Sequence, residues 1–344
     1  MALFYIIQNL LSILIVLKLR KLYALISLFF FIIIFVIKPD TFDLILYPGY
    51  VTAVRNHEFL FGVVIKFISI FVNDPRITIT VYQIFYLISA SLILFFFQKS
   101  NDKLLILAII LSSVAVMLGV HNNLRQGLAC IFILLGIFSY ISGYKISAIL
   151  FFITSQGFHT SSILFVLLIA LNYLFYINLY KRFSLMSKID CMLSVYILSF
   201  FLSLIFFFIF VNLIHFVDLL TLNNSKYINY LRESQYAGFR SSLLVKTIFI
   251  FCIVLSTEFL MKFQSINFKL DFLRFLRIFI LLFCFFLSLN NNFNEIGNRI
   301  FYIYYVIEMG LMCYLISKKF YNTTTLILLA YAFAFNVWNI IGGI

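Results

Sequence analysis

Two short polar runs interrupt a chain that otherwise consists mainly of aliphatic and aromatic residues. The first, HNNLRQGLA, begins at His121 and places Arg125 beside asparagine and glutamine side chains. The second, SQGFHTSS, begins at Ser155 and places His159 among hydroxyl groups. A guanidinium among amide donors at a helix start suits a phosphate or pyrophosphate oxyanion. An imidazole can hydrogen-bond a ligand or accept a proton. The two runs therefore predict an anion site with proton-transfer chemistry close by.

The composition predicts that these runs belong to a membrane protein. Of the 344 residues, 64% are hydrophobic and only 11% are charged, and the mean hydropathy is +1.12. A soluble domain is about half apolar and about a quarter charged. The apolar runs show no alternation of apolar and polar residues, which favours helices over a β-barrel. We therefore expect an all-α, polytopic transmembrane helical bundle.

The net charge and the cysteines argue against two other classes of protein. The net charge is +13, but basic residues in a membrane protein anchor cytoplasmic loops, so no nucleic-acid partner is expected. The five cysteines are scattered through apolar runs without metal-ligand spacing. This pattern supports neither a disulfide framework nor a zinc site. We expect no cofactor, no metal ion and no cleavable signal peptide.

Hydropathy divides the chain into about twelve spans, within a range of about ten to thirteen. The apolar segment from His57 to Val72 is not counted, because it carries Glu58 and Lys66. We interpret it as a re-entrant or interfacial helix. The predicted spans are residues 2–17, 22–38, 76–98, 103–120, 124–142, 144–156, 158–177, 189–216, 241–262, 272–290, 298–317 and 322–341.

The basic residues set the orientation, because short loops rich in lysine and arginine stay in the cytoplasm. An N-terminus outside puts most basic loops inside and all four histidines at or near the outer face. The predicted extracytoplasmic loops are residues 39–75 and 217–240. The basic residues assigned to the cytoplasmic side are Lys18, Arg20, Lys21, Lys99, Lys103, Lys145, Lys181, Arg182, Lys188, Lys262, Lys269, Arg274, Arg277, Lys318 and Lys319.

Other charged residues on the outer side could join the site. Arg299 opens the eleventh span, and Arg232 and Arg240 could close over an anionic ligand. Glu308 is a candidate because an acid within the membrane is costly. Each candidate also has a purely structural interpretation. Arg125 could be an interfacial anchor, Arg299 could pair with a nearby acid, and His159 and Glu308 could be satisfied within the bundle.

The polar runs and their surroundings resemble the EpsG-like, Wzy-type family of bacterial polysaccharide polymerases. That family shows an N-x-x-R-Q-x-L-A helix and then an F-H-x-S-A/S element. The matching residues are Asn122, Arg125, Gln126, Leu128 and Ala129, followed by Phe158, His159 and Ser161. Upstream, DTFDLILYPGY and HEFLFGVVIKFI resemble the family's first extracytoplasmic segment through Asp40, Tyr47 and Glu58, and NRIFYIYY resembles its late arginine helix through Arg299. Two departures are Gly127 after the Arg-Gln pair and the lack of a Gly-Thr-Asp triplet before the first loop.

The resemblance implies a GT-C-like glycosyltransferase that polymerises O-antigen or a similar surface polysaccharide. It would act at the periplasmic face of the bacterial cytoplasmic (inner) membrane. It would join undecaprenyl-pyrophosphate-linked oligosaccharides, with arginines instead of a metal stabilising the pyrophosphate leaving group and Glu58 or His159 as the base. The implied partners are these oligosaccharides, membrane lipid and a chain-length regulator protein. The implied catalytic residues are His159, Glu58, Arg125 and Arg299, and the implied ligand-binding residues are Asn122, Gln126, Arg232, Arg240, Asp40 and Tyr47.

Three other functions share part of this pattern. A lipid-linked oligosaccharide flippase would also use basic residues against pyrophosphate, but in a cavity reachable from both faces. An O-antigen ligase would transfer the same glycan to a different acceptor. A membrane-embedded acyltransferase would place its histidine within the membrane, whereas His159 is predicted at a helix mouth. Clustering of polar groups on one predicted side favours the polymerase.

Overall fold

The computed structural model of the chain describes residues 2–37, 58–121, 124–159, 162–183, 188–220, 242–261, 268–289 and 294–342. The regular elements in these ranges are helices. The α-helices are α1 (Ala2–Leu10), α2 (Ile13–Val16), α3 (Arg20–Ile37), α4 (Phe59–Phe71), α5 (Pro75–Ser91), α6 (Lys103–Ser112), α7 (Val114–His121), α8 (Leu124–Ile141), α9 (Lys145–Phe158), α10 (Ser162–Phe183), α11 (Lys188–Leu220), α12 (Ser242–Met261), α13 (Phe268–Ser288), α14 (Asn294–Ser317) and α15 (Tyr321–Gly342). A 3-10 helix, Leu92–Phe97, continues α5.

Each predicted span coincides with a helix or a pair of helices, which confirms the all-α class. Three helices among the described residues are long and apolar enough to cross a membrane, namely Pro75–Phe97, Leu124–Ile141 and Ile296–Ser317. The bent pair α6 and α7 makes a fourth if it is taken as one span. The total of about twelve spans and the GT-C-like arrangement stay predictions.

Contacts divide the chain into two compact units, residues 1–169 with 305–336 and residues 170–304 with 337–344. In the first unit, α6 and α7 meet at an angle of 50°. The hydroxyl of Ser113 lies at the break, donates to the carbonyl of Ile110 at 2.8 Å, and accepts from the backbone N–H of Val116 at 3.2 Å. The freed backbone groups of a broken helix need such partners in an apolar interior. Ser113 therefore explains where this helix bends.

Three predicted cytoplasmic segments meet in the first unit. Arg20, at the start of α3, donates to the hydroxyl of Tyr321 at 2.9 Å and lies 3.7 Å from Asp102. The Tyr321 hydroxyl in turn donates to Asp102 at 2.6 Å. The guanidinium carbon of Arg20 also lies 3.5 Å from the centre of the Tyr321 ring. These contacts place the segments around residues 20, 102 and 321 at one end of the unit, as the charge pattern predicts.

Close packing brings together the start of α4, the first half of α8 and the end of α9. The stacked rings of Phe132 and Phe158, with centroids 5.5 Å apart, join α8 to α9. A Cβ atom on Gly157 would collide with the side chain of Leu60, so α9 and α4 touch at a position that only glycine permits. No described atom lies within 4 Å of a Cβ atom built on Gly62, which is also in α4. Gly157 therefore sets the distance between α4 and α9.

The second unit contains a buried ionic cluster that the sequence did not predict. Arg274 and Arg277, both assigned to the cytoplasmic side from the charge pattern, lie within α13 and are buried. Glu258 of α12 pairs with Arg274 at 2.6 Å and with Arg277 at 3.3 Å. Arg277 also donates to the hydroxyl of Thr257 at 2.9 Å. Paired charges of this kind can be buried among apolar helices, whereas burying a single unpaired charge would strongly destabilise the fold.

The contact between Gly157 and Leu60 can be tested by the same substitution at two glycines. We expect Gly157→Val to lower the free energy of unfolding by about 1–3 kcal/mol, because the new side chain overpacks the boundary between α4 and α9. Gly62→Val is the matched control, since its side chain meets open space. Thermal unfolding of the purified variants in one detergent measures both effects. Equal unfolding temperatures for the two variants would show that α4 and α9 do not pack as described.

Candidate functional site

Glu58 connects the two polar runs of the sequence. Its carboxylate oxygen Oε2 accepts a hydrogen bond from Nη1 of Arg125 at 2.7 Å. Its other oxygen, Oε1, lies 3.0 Å from Nδ1 of His159. The three residues are separated by 67 and 101 positions in the sequence. The structure thus brings together three of the four residues predicted to be catalytic, and we call them the Glu58 cluster.

Helix ends position each member of the Glu58 cluster. Glu58 immediately precedes α4, and its carbonyl accepts the N–H of Gly62 at 2.9 Å. Arg125 lies in the first turn of α8. His159 follows the last residue of α9, where its N–H donates to the carbonyl of Ser155 at 3.1 Å. The sequence predicted His159 at a helix mouth, and the structure places it directly after α9. Three helix ends therefore converge on one carboxylate.

The ionisation of Glu58 follows from its neighbours. Burial of the carboxyl group favours its neutral form, but the hydrogen bond with His159 and the positive charge of Arg125 outweigh this effect. Together they lower the pKa of Glu58 to about 2, compared with 4.5 for an ordinary glutamate. The side chain is therefore a carboxylate under physiological conditions. A carboxylate can only accept hydrogen bonds, so Nδ1 of His159 must be the donor to Oε1.

The tautomer of His159 determines what its second nitrogen can do. In a neutral imidazole whose Nδ1 carries the proton, Nε2 has a lone pair and can accept a hydrogen bond or a proton. Nε2 is buried and has no hydrogen-bond partner among the described residues. The hydroxyl of Ser162, at the start of α10, is also buried without one, and the Ser162 N–H donates to the His159 carbonyl at 3.0 Å. The sequence analysis did not single out Ser162.

Arg125 is the most accessible member of the cluster. Its side chain is 26% exposed, compared with 13% for Glu58 and 13% for His159. The guanidinium carbon also lies 5.5 Å from the centre of the Phe61 ring, a cation–π contact that the sequence did not predict. A guanidinium has five N–H donors in a planar fork, so Arg125 can hold Glu58 and bind an oxyanion at the same time.

The other predicted site residues fall into three groups. Gln126 is buried within α8 next to Arg125, and Glu308 is buried in the part of α14 that belongs to the first unit. Arg299 lies in the second unit, half-buried near the start of α14. The remaining ones lie outside the described residues: Asp40, Tyr47, Asn122, Arg232 and Arg240.

Metal ligands were not expected in the sequence, and the described ranges contain no group of three or more histidine, cysteine, aspartate or glutamate side chains that could hold a metal ion. Residues 38–57 and 221–241 lie outside these ranges. Independence from metal ions therefore stays a prediction about the reaction.

Comparison with known proteins gives one family. The sequence profile of the EpsG family matches residues 39–343, a range that includes the whole Glu58 cluster and Arg299. No curated protein and no solved structure shows significant similarity to the chain. The family and the apolar helices indicate a membrane protein with a polysaccharide polymerase-type role. Because the match covers most of the chain and includes the residues that carry the sequence resemblance, this protein belongs to the EpsG family.

Proposed function

We propose that the protein is a glycosyltransferase that polymerises a surface polysaccharide such as O-antigen at the periplasmic face of the inner membrane. Its substrates would be oligosaccharide repeat units linked to undecaprenyl pyrophosphate. Family membership and the apolar helices support this proposal. The observation that carries it is the Glu58 carboxylate, which holds an arginine and a histidine side by side.

The proposed reaction needs two functions that the Glu58 cluster can provide. The bond between the first sugar carbon of the growing glycan and the pyrophosphate oxygen breaks, and the pyrophosphate leaves with the electron pair. An acceptor hydroxyl forms the new bond to that carbon and gives up its proton. A cationic group lowers the cost of the negative charge on the leaving pyrophosphate, and a base receives the proton.

His159 is the better candidate for the base. Glu58 accepts hydrogen bonds from both Arg125 and His159, and a carboxylate whose pKa is about 2 is a weak base. A carboxylate that accepts from Nδ1–H instead holds the imidazole in one tautomer and supports the positive charge that appears on protonation. Glu58 is therefore a positioning residue, and Nε2 of His159 would accept the hydroxyl proton.

Arg125 would bind the pyrophosphate of the departing lipid carrier. Its guanidinium is the most exposed cation of the cluster, and planar guanidinium groups match phosphate oxygens well. Glu58 fixes the direction of the guanidinium, so little side-chain freedom is lost when the anion binds. A chain-length regulator protein would be a further partner in the cell.

Reconstitution separates the polymerase from the closest competing function. Purified protein in vesicles with lipid-linked repeat units should produce a ladder of longer lipid-linked glycans, detected by gel electrophoresis. A flippase would move the repeat units across the membrane without lengthening them. Transport without any ladder would contradict the proposed reaction. A product found only on a lipid A core acceptor would indicate a ligase.

The roles of His159 and Glu58 predict that their substitutions lower the rate of glycan extension by different amounts. We expect His159→Ala to lower the rate of glycan extension about 10²–10⁴-fold, the usual contribution of a general base. Glu58→Gln should lower this rate less, because the amide oxygen can still accept the hydrogen bond from Nδ1 of His159. Adding Glu58→Gln to His159→Ala should cause only the smaller loss that follows from a less firmly held Arg125, because the base is already absent. If Glu58→Gln were as damaging as His159→Ala in equally folded proteins, Glu58 would be the base.

The lowered pKa of Glu58 predicts how the stability of the protein depends on pH. A carboxylate with a lowered pKa in the folded state stabilises the fold fully above the ordinary value of 4.5, and this contribution disappears as the pH falls towards 2. The difference in unfolding temperature between wild type and Glu58→Gln should therefore shrink as the pH falls below about 4.5. Scanning fluorimetry in detergent measures this difference. A difference that stays the same below pH 4.5 would contradict the lowered pKa of Glu58.

A further inference from the structure

The Glu58 cluster lies level with the middle part of α5 and not with its first residues. Gln83 of α5 donates to the carbonyl of Val120 at 2.9 Å, just before the polar run that holds Arg125. Phe85 lies 6.2 Å from Phe158, the neighbour of His159. Tyr82 lies 5.2 Å from Phe61, the third residue of α4. At about 1.5 Å per residue, this level is about 10–15 Å from Pro75, where α5 begins.

The length of α9 is a second, independent indication of how deep the Glu58 cluster lies in the membrane. The turn before α9 lies near the other end of α5, because Phe138 at the end of α8 contacts Phe96 and Phe97 at 5.4 and 5.5 Å. From that turn, the 14 residues of α9 reach only about 20 Å before His159. The hydrocarbon core of a bilayer is about 30 Å thick. With the turn before α9 at the predicted inner boundary of the core, the cluster would lie about 10 Å below the outer boundary.

The helix α4 connects this depth to the outer end. Residues 72–74 join its last residue to Pro75 of α5, so α4 leads from the predicted outer surface down to Glu58. Glu58, Gly62 and Lys66 are spaced by four residues and share one face of α4. Lys66 is exposed, and a Cβ atom built on Gly62 would meet no described atom within 4 Å. This face offers positive charge at its upper part, room in its middle and Arg125 near its lower end.

Apolar side chains border this face. Phe59, Val63 and Phe67 of α4 are 76%, 46% and 61% exposed. On the inner side of the cluster, Ile149 and Ile153 of α9, which packs on α4 through Gly157, are 57% and 62% exposed. Such surfaces suit lipid chains, and the positively charged residues beside them suit an anionic headgroup.

We propose that this face of α4 is the path by which the anionic headgroup of a polyprenyl-linked substrate descends from the membrane surface to Arg125. The headgroup passes Lys66 and Gly62 while the prenyl chain stays among the exposed apolar residues of α4 and α9. The proposal rests on the proposed function for the identity of the substrate. It adds the route, the depth of the site and a role for two residues that the reaction itself does not use.

The route can be tested by binding, without any glycan transfer. Farnesyl diphosphate serves as the probe, and its affinity for the protein in nanodiscs is measured by displacement of a fluorescent analogue. Gly62→Trp should weaken binding about ten- to a hundredfold, because the indole fills the path. Lys66→Gln should weaken it about two- to fivefold, as expected for a partly exposed charge. Phe95→Trp, which places the same indole on the exposed 3-10 helix that continues α5, is the control and should bind as wild type does. Wild-type affinity in Gly62→Trp would overturn the route.

The depth is tested separately with fluorescent labels. In a background without native cysteines, Phe59→Cys reports the level of the cluster and Ile77→Cys reports the outer end of α5. Both positions are exposed, by 76% and 51%. Quenching by lipids brominated at known depths should place the first label about 10 Å deeper than the second. Equal depths would overturn the proposal. Failure of glycan extension with binding and depth as expected would count against the proposed function alone.

Discussion

The arrangement of the first unit depends on one carboxylate that binds two residues from distant parts of the chain. An unpaired charge among apolar helices costs several kcal/mol, about 3–5 when one partner of a buried pair is removed. Arg125 and His159 would each be unfavourable neighbours for apolar side chains, and Glu58 compensates for both. The ends of α4, α8 and α9 must therefore stay together. The glycine at position 157 is what allows α4 and α9 to come close enough.

Hydropathy predicted the helices well because the signal is local and repeated. In a bilayer the backbone N–H and C=O groups must form hydrogen bonds within each segment. A long apolar run is therefore almost sufficient evidence for a helix. The predicted and observed ends differ by a few residues at most of the helices. The end of α10 differs most, at Phe183 and not at residue 177. In the polar run SQGFHTSS, Phe158 ends α9, His159 follows it, and Ser162 begins α10. Polar residues at a helix end do not show on which side of the end they lie.

The sequence predicted the members of the Glu58 cluster but not their connection. Residue type and position near helix starts were enough to select Arg125, His159 and Glu58. That one carboxylate joins the other two is a long-range contact, and a single sequence contains no direct signal for it. The same limit applies to Arg274 and Arg277. The sequence did not indicate that Glu258, less than 20 residues away, pairs with both inside the second unit.

Comparison of the two ionic clusters shows which one is suited to chemistry. In the second unit, Arg277 is fully buried, and Glu258 is 2% exposed. Both charges are thus held away from any substrate, as expected for groups that fix helices in place. In the first unit, Arg125 is 26% exposed, and the cluster includes a histidine, whose protonation can change during a reaction. Two charges of opposite sign are enough to hold helices together. The addition of an oriented imidazole beside an accessible guanidinium is the feature that structural pairing does not require and that glycan transfer does.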